Sequence, residues 1–185
     1  MLFSHDTERA LRRIVDLVNS APSAGGPDQL ADLAALRSFV ARHQVSDVGE
    51  LAPADLEDVR RLRTEIAAVL DAEDDSSAAH AVNALVSRAV ATPRLTDHDG
   101  YDWHVHYFVP GVTLPERLRM DCGMALAHMV ASGERERLRR CAAPDCDQAL
   151  VDLSRNRSKR YCDARTCGNR LHVAAYRERR RAASA

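Results

Sequence analysis

Five cysteines are present in the 185-residue chain, and four of them form two pairs with the same internal spacing. Cys141 and Cys146 make one C-x4-C pair, Cys162 and Cys167 make the other, and 15 residues separate the pairs. Two short-range pairs joined by a modest connection are typical of tetrahedral zinc sites, in which each pair forms one knuckle. A reactive redox centre and a chance clustering are the alternatives.

The segment around these cysteines has few apolar residues with which to build a core. They are Leu150, Val151, Leu153, Tyr161, Leu171 and Val173. Below about 40 to 70 residues a module usually needs a metal or a disulfide, and zinc can contribute on the order of 10 kcal/mol to folding. We therefore predict one structural Zn²⁺ bound by all four thiolates. Four thiolates leave no open position for water, so the metal is not expected to be catalytic.

Charge is divided unevenly along the chain. Residues 1–133 carry 12 basic and 20 acidic side chains, a net charge of -8, whereas residues 134–185 carry 14 basic and 7 acidic side chains, a net charge of +7. A basic module suits a polyanion such as nucleic acid, although the two parts could instead simply attract each other. The basic residues predicted to contact nucleic acid are Arg155, Arg157, Lys159, Arg160, Arg170, Arg177 and Arg181.

Helical periodicity dominates the first 133 residues. Helices are predicted in ERALRRIVDLVNS, from Asp28, from Pro53 after a short helical turn, in SSAAHAVNALVSRAVA and in TLPERLRMDCGMALAHMVASG. Around residues 92–108, an Asp-Gly turn between β-branched and aromatic residues predicts one β-hairpin. The predicted fold is mainly α with a β-hairpin (α+β): a helical N-terminal domain, residues 1–133, and a small four-cysteine zinc module, residues 134–185.

The hairpin places Asp102, His104 and His106 on one face of a strand. Such a face could bind a second metal, an anion or a small effector, or could titrate near neutral pH, and Asn19 could join it as a buried polar group. The simpler interpretation is that the histidines form hydrogen bonds at the rim of the core, since an isolated histidine pair is rarely a metal site. Cys122 is expected to be a small buried hydrophobe.

The C-terminal motif resembles a known family. Cys167-Gly168-Asn169-Arg170 follows a C-x4-C pair and a D-x-S-R-N-x-S-K-R stretch, as in the CGNR zinc finger. The residues that match the stretch are Asp152, Ser154, Arg155, Asn156, Ser158, Lys159 and Arg160, with Tyr161 where tryptophan is expected. Asp16-Leu17-Val18-Asn19-Ser20 and Trp103-His104-Val105-His106 are similar to stretches of the ABATE domain, which precedes such fingers in bacterial stress-induced transcription regulators.

This resemblance implies a transcription regulator that binds double-stranded DNA through its finger. The N-terminal domain would then act as a sensor of a small-molecule effector or as a unit that forms a homodimer. The chain has no apolar run long enough to cross a membrane, and its charged N-terminus does not fit a signal peptide, so a cytoplasmic location is expected.

We do not expect an enzyme, since the sequence has no nucleophile elbow, P-loop or dinucleotide-binding motif. Two alternatives stay open. The zinc module could dock a protein partner, or the N-terminal domain could be an enzyme or small-ligand binder around Asp102, His104 and His106.

Overall fold

A computed structural model of the protein describes residues 3–46, 48–89, 92–96, 103–107 and 111–182. Six α-helices lie in this part of the chain: α1 (His5–Asn19), α2 (Leu33–Arg42), α3 (Pro53–Leu70), α4 (Asp75–Val86), α5 (Leu114–Ala131) and α6 (Asn169–Ala182). Two antiparallel hairpins accompany them, β1 (Arg94–Thr96) with β2 (His104–His106), and β3 (Leu138–Arg140) with β4 (Ala149–Val151). The predicted class, mainly α with small β-hairpins, is confirmed.

Side-chain caps determine where several helices begin. Ser4 accepts a hydrogen bond from the Thr7 amide at the start of α1, and Pro53 occupies the first turn of α3, as predicted. The predicted start of α2 at Asp28 is wrong, because Asp32 caps that helix through the Ala35 amide.

The Asp28 carboxylate is instead used by the buried Arg63, whose Nη1 and Nη2 lie 2.7 and 2.5 Å from its two oxygens. The short helical turn expected before α3 is not seen in residues 48–52.

The main core lies among α1, α3, α4 and α5. One apolar stripe of α5 lies in this core, since all its members are buried: Leu118, Cys122, Ala125, Leu126 and Met129. Burial raises the pKa of the Cys122 thiol to about 12, so this cysteine is an inert part of the core.

The predicted hairpin is present and lies at the surface. Thr96 pairs with His104 and Leu95 with Val105, and the side chains of Leu95 and Val105 are 69% and 40% exposed. The predicted Asp-Gly turn lies outside the described residues. Among the described helices, none combines the length and the apolar character that a membrane crossing requires.

The second hairpin, β3–β4, was not predicted. Gly133 ends α5 with a φ of 68°, and the chain then enters this hairpin. Leu138, Ala149 and Val151 are buried in the same apolar cluster as the helices. The cysteine-bearing segment therefore shares its core with the N-terminal helices.

Candidate metal centre and nucleic-acid interface

The β3–β4 hairpin and the segment that leads into α6 bring the four paired cysteines together. Cys141 directly follows β3, Cys146 precedes β4, and Cys167 lies in a π-helical turn, Ala164–Gly168, that leads into α6. The four sulfur atoms all lie within 4.8 Å of one another. The sequence prediction that these residues form one site is therefore matched by the geometry.

Sulfur–sulfur distances test whether zinc fits. The Cys162 sulfur lies 3.7 Å from the sulfurs of both Cys146 and Cys167. A tetrahedral ion with Zn–S bonds of about 2.3 Å requires sulfur separations of about 3.8 Å, whereas a disulfide requires about 2.05 Å. The four thiols fit one structural Zn²⁺, which would hold the two knuckles together.

The protonation chemistry of the cluster also favours a cation. Burial and the neighbouring sulfurs of Cys146 and Cys167 raise the pKa of the Cys162 thiol, and burial likewise raises the pKa of Cys146. Burial opposes ionisation of Cys141 as well, yet backbone hydrogen bonds at Ala143 and Cys162 bring its pKa below the ordinary value. Thiols this close cannot all ionise without a compensating charge, and a divalent metal supplies that charge.

Backbone contacts hold each knuckle in shape. The Cys141 amide donates to the Gln148 carbonyl at 2.8 Å, and the Cys162 amide points at the Cys141 sulfur at 3.4 Å. Asp163 caps the π-helical turn by accepting from the amides of Arg165 and Thr166 at 2.7 and 2.8 Å. These contacts fix the positions of the cysteine sulfurs.

Asp152 organises the basic loop between the knuckles, residues 152–160. Its fully buried carboxylate accepts bonds from the Ser154 amide and hydroxyl, the Lys159 amide and the Arg139 guanidinium. Burial opposes its ionisation, but the bonds from Ser154 and Lys159 outweigh it and lower the pKa of Asp152. In the sequence, Asp152 stands out only as one position of the D-x-S-R-N-x-S-K-R motif. The sequence feature that points to its role is that it is the one acidic residue in the basic stretch 152–160.

The ion pair between Arg137 and Glu134 also holds this loop in place. Arg137, 4% exposed, donates to Glu134 and to the carbonyls of Asp152 and Ser154. Glu134 also accepts from Arg157 at 2.9 Å. The hydrogen bonds to the two positively charged arginines lower the pKa of Glu134. Arg137 therefore positions the loop and is not available to a partner.

The predicted nucleic-acid-binding residues fall into two groups. Arg155, Arg160, Arg177 and Arg181 are exposed, and the side chains of these four donate no hydrogen bond to a described residue, although the Arg160 guanidinium lies 5.9 Å from the centre of the Tyr161 ring. The other three have partners within the module: Arg157 binds Glu134, Lys159 lies 3.4 Å from the Val151 carbonyl, and Arg170 binds Asp145 at 2.5 Å. The guanidinium of Arg170 also lies 3.9 Å from the Cys167 sulfur.

Attraction between the acidic and basic parts of the chain involves other arginines. Arg140 binds both carboxylate oxygens of Asp71 at 2.9 and 2.7 Å, and Arg135 binds Asp75 at 2.6 Å. The alternative of mutual attraction therefore holds for Arg135 and Arg140, neither of which was predicted to contact nucleic acid. The exposed arginines of the loop and of α6 do not take part in these pairs.

Asn19 is not part of a histidine site. Its side chain lies at the end of α1 and makes two hydrogen bonds with the backbone of Ala149 in β4, at 3.0 and 2.7 Å. His106 lines the same cavity as Ala10 and Arg13 of α1. Nine residues of helix, about 13 Å, separate Ala10 from Asn19. Asp102 and the side chain of His104 lie outside the described residues.

The tetrathiolate centre, its two knuckles and the basic helix that follows define the C-terminal part as a zinc-finger module. Comparison with protein families identifies the type, because residues 137–180 match the CGNR zinc finger. Residues 11–133 match the ABATE family, described as "Putative stress-induced transcription regulator". This second match covers more than half of the chain, so the protein belongs to the ABATE family and carries a C-terminal CGNR zinc finger. No curated protein matches the sequence.

Proposed function

We propose that this protein is a bacterial, cytoplasmic transcription regulator that binds double-stranded DNA through its CGNR finger. The observation that carries the proposal is the separation of roles among the basic residues. Arg137 holds the loop, and Arg135 and Arg140 bind carboxylates of the N-terminal part, whereas the arginines at the loop and along α6 are left exposed. Exposed guanidinium groups on a fixed scaffold suit contacts with phosphates and with guanine edges.

In the proposed mechanism, the paired cysteines would hold Zn²⁺ between the two knuckles, and this cross-link would fix the loop and α6 relative to each other. Asp152 then fixes the loop so that Arg155 and Arg160 face outward. All described side chains of α6 from His172 onward are exposed, and 14 residues give a helix of about 21 Å. A helix of this kind fits a major groove about 12 Å wide, where Arg177 and Arg181 would lie on one stripe.

Salt dependence tests the proposal. We expect the zinc-loaded protein to bind duplex DNA with an affinity that falls steeply as salt rises, because each phosphate contact releases counterions. Arg155→Ala and Arg177→Ala should each reduce the slope of log K against log salt by about 1. Arg61→Ala is the matched control, since Arg61 is exposed on α3 and pairs with Asp58. The proposal fails if the protein shows no salt-sensitive affinity for any duplex in a randomised pool.

A protein-docking role for the finger is the second candidate. Val173 and Tyr176 are 40% and 55% exposed and lie three residues apart on α6, which gives the helix an apolar strip beside its arginines. If the finger docks a protein, Val173→Ser with Tyr176→Ser should abolish that binding, and no duplex should bind in a salt-dependent way. The DNA proposal expects the reverse result from the arginine variants.

For the N-terminal domain we propose a binding role and not a catalytic one. It would sense a stress-related small effector or pair two copies of the protein. Sedimentation of the zinc-loaded chain over a range of concentrations tests the homodimer: a single monomeric species at all concentrations would exclude it.

A further inference from the structure

A cavity of about 390 Å³ lies between the first half of α1, strand β2 and α5. This size falls in the range of small-ligand sites, about 300 to 1,000 Å³. All the residues that line it belong to the N-terminal helices, the connection after α2 and the first hairpin, and none belongs to the finger. The cavity is therefore separate from the zinc centre and from the proposed DNA-binding surface.

Among the described residues that line this cavity, arginines outnumber carboxylates. The guanidinium groups of Arg9, Arg13 and Arg117 line it, together with the carboxylates of Asp6 and Asp121. Arg117 is anchored to Ser46, and Arg9 reaches Gln44 at 3.3 Å, so both are held at the wall. The wall is suited to an anion of low charge, because the two carboxylates would repel a multiply charged one.

Arg13 is the group whose hydrogen-bonding needs are least met. Its side chain is 8% exposed, and its Nη1 donates to Asp121 at 2.8 Å. Its Nε is buried and has no hydrogen-bond partner among the residues that the structure describes. The buried Arg63 is different, because Asp28 and Ser20 accept four bonds from its Nη1 and Nη2. The Nε is sealed by protein atoms and cannot meet a ligand in the cavity, but Nη2 has no hydrogen-bond partner among the described residues either, and a carboxylate accepts strongly from a guanidinium N–H.

Part of the remaining wall is apolar, beside the polar side chains of Ser4, Thr7, Gln44, Ser46, His106 and His128. Trp103, Tyr107 and Met124 line the cavity, and Trp103 is 69% exposed. An indole, a phenol ring and a thioether favour an apolar or aromatic body in the ligand. The ligand that satisfies both parts of the wall has one carboxylate and a small apolar body.

We propose that this cavity is a binding site for a small organic monocarboxylate, with Arg13 as its main anchor. Binding at this site does not depend on the proposed function. Only an effect of the ligand on DNA affinity would rest on that function.

Titration calorimetry of the full-length, zinc-loaded protein without DNA tests the site. The probes are benzoate and phenylacetate, with benzamide as the neutral match to benzoate and inorganic phosphate as the competing anion. We expect saturable 1:1 binding of at least one carboxylate, about tenfold or more tighter than benzamide, as expected for a charge-assisted hydrogen bond. Arg13→Met should weaken that binding about tenfold, whereas Arg12→Met should not, since Arg12 lies outside the cavity and is 64% exposed.

Four results would overturn the proposal: no saturable binding of either carboxylate, equal binding of benzamide, binding of phosphate alone, or unchanged affinity in Arg13→Met. If Arg13→Met does not fold, Arg13→Lys replaces it, because lysine keeps the charge but loses the planar pair of donors. That variant should also bind more weakly than the wild-type protein, and unchanged affinity would count against the site. DNA affinity is measured in a separate titration, so failure of the ligand site and failure of the DNA proposal can be told apart.

Discussion

Asn19 and Ala149 exchange two hydrogen bonds across 130 residues of sequence. The side-chain Nδ2 of Asn19 donates to the Ala149 carbonyl at 3.0 Å, and the Ala149 amide donates to Oδ1 at 2.7 Å. The side-chain amide of Asn19 thus makes the two hydrogen bonds that a neighbouring strand would make along one edge of β4. The other edge of β4 pairs with β3. The end of α1 and the finger are joined by this contact and by the apolar cluster beside it.

Removal of this amide should destabilise the whole chain. Asn19→Ala leaves the amide and the carbonyl of Ala149, a residue that is 1% exposed, without partners. We expect a cost of about 2 to 6 kcal/mol, since two buried groups are left unsatisfied and each costs about 1 to 3 kcal/mol. Urea unfolding measures it, with Asn83→Ala on the exposed face of α4 as the control. Equal midpoints for the two variants would contradict the role given to Asn19.

Zinc removal should affect more than the finger. Because Leu138, Ala149 and Val151 are part of the main core, we expect chelation to lower the melting temperature of the N-terminal helices as well. Elemental analysis should give one zinc per chain for the wild-type protein and for Cys122→Ala, and a loss of zinc for Cys162→Ser. An unchanged melting curve after complete chelation would show that the metal does not support the shared core.

Arg170 should support the metal centre more than it supports DNA binding. A site with Zn²⁺ and four thiolates carries a net charge of -2, and Arg170 lies 3.9 Å from the Cys167 sulfur while it binds Asp145. We expect Arg170→Ala to release zinc to a colorimetric chelator faster than the wild-type protein, and Arg177→Ala to leave that rate unchanged. The opposite pattern, with normal zinc release and a reduced DNA salt slope, would make Arg170 a DNA contact.

Acid should weaken the ion pair between Asp28 and Arg63. Hydrogen bonds from Arg63 lower the pKa of Asp28 to about 2, from an ordinary value near 3.8. This lowered pKa stabilises the protein above about pH 4, and the benefit is lost as the pH falls from about 4 to about 2. We expect the wild-type free energy of unfolding to fall by on the order of 1 to 2 kcal/mol more than that of Asp28→Asn over this range. In Asp58→Asn, which alters an exposed pair, the loss should match the wild type.

Much of the fold could be predicted from local patterns. Helical spacing identified the buried faces of α1, α3 and α5, and the cysteine spacing identified the metal centre, because both signals depend on residues close together in sequence. The predicted start of α2 was wrong because Asp28 and Asp32 are both residues that can cap a helix. Only the position of Arg63, 35 residues further on, decides between them.

The roles of Asn19 and Asp152 could not be predicted in the same way. We expected that Asn19 could join the histidine face of the first hairpin, but its partner, Ala149, lies 130 residues away in a strand of three residues that gives almost no sequence signal. The basic loop was predicted as one surface, although Arg157 and Lys159 are held by groups within the finger. Net charge could not separate the arginines that hold the module together from those that are exposed.

The contact between Asn19 and Ala149 uses only main-chain atoms on the finger side. The side chains of Arg155, Arg177 and their exposed neighbours therefore take no part in this contact between the finger and α1. Substitutions at those exposed positions can accumulate without disturbing the joint. Such an arrangement allows the proposed DNA-binding surface to diverge in the course of evolution while the contact that attaches the finger to α1 stays the same.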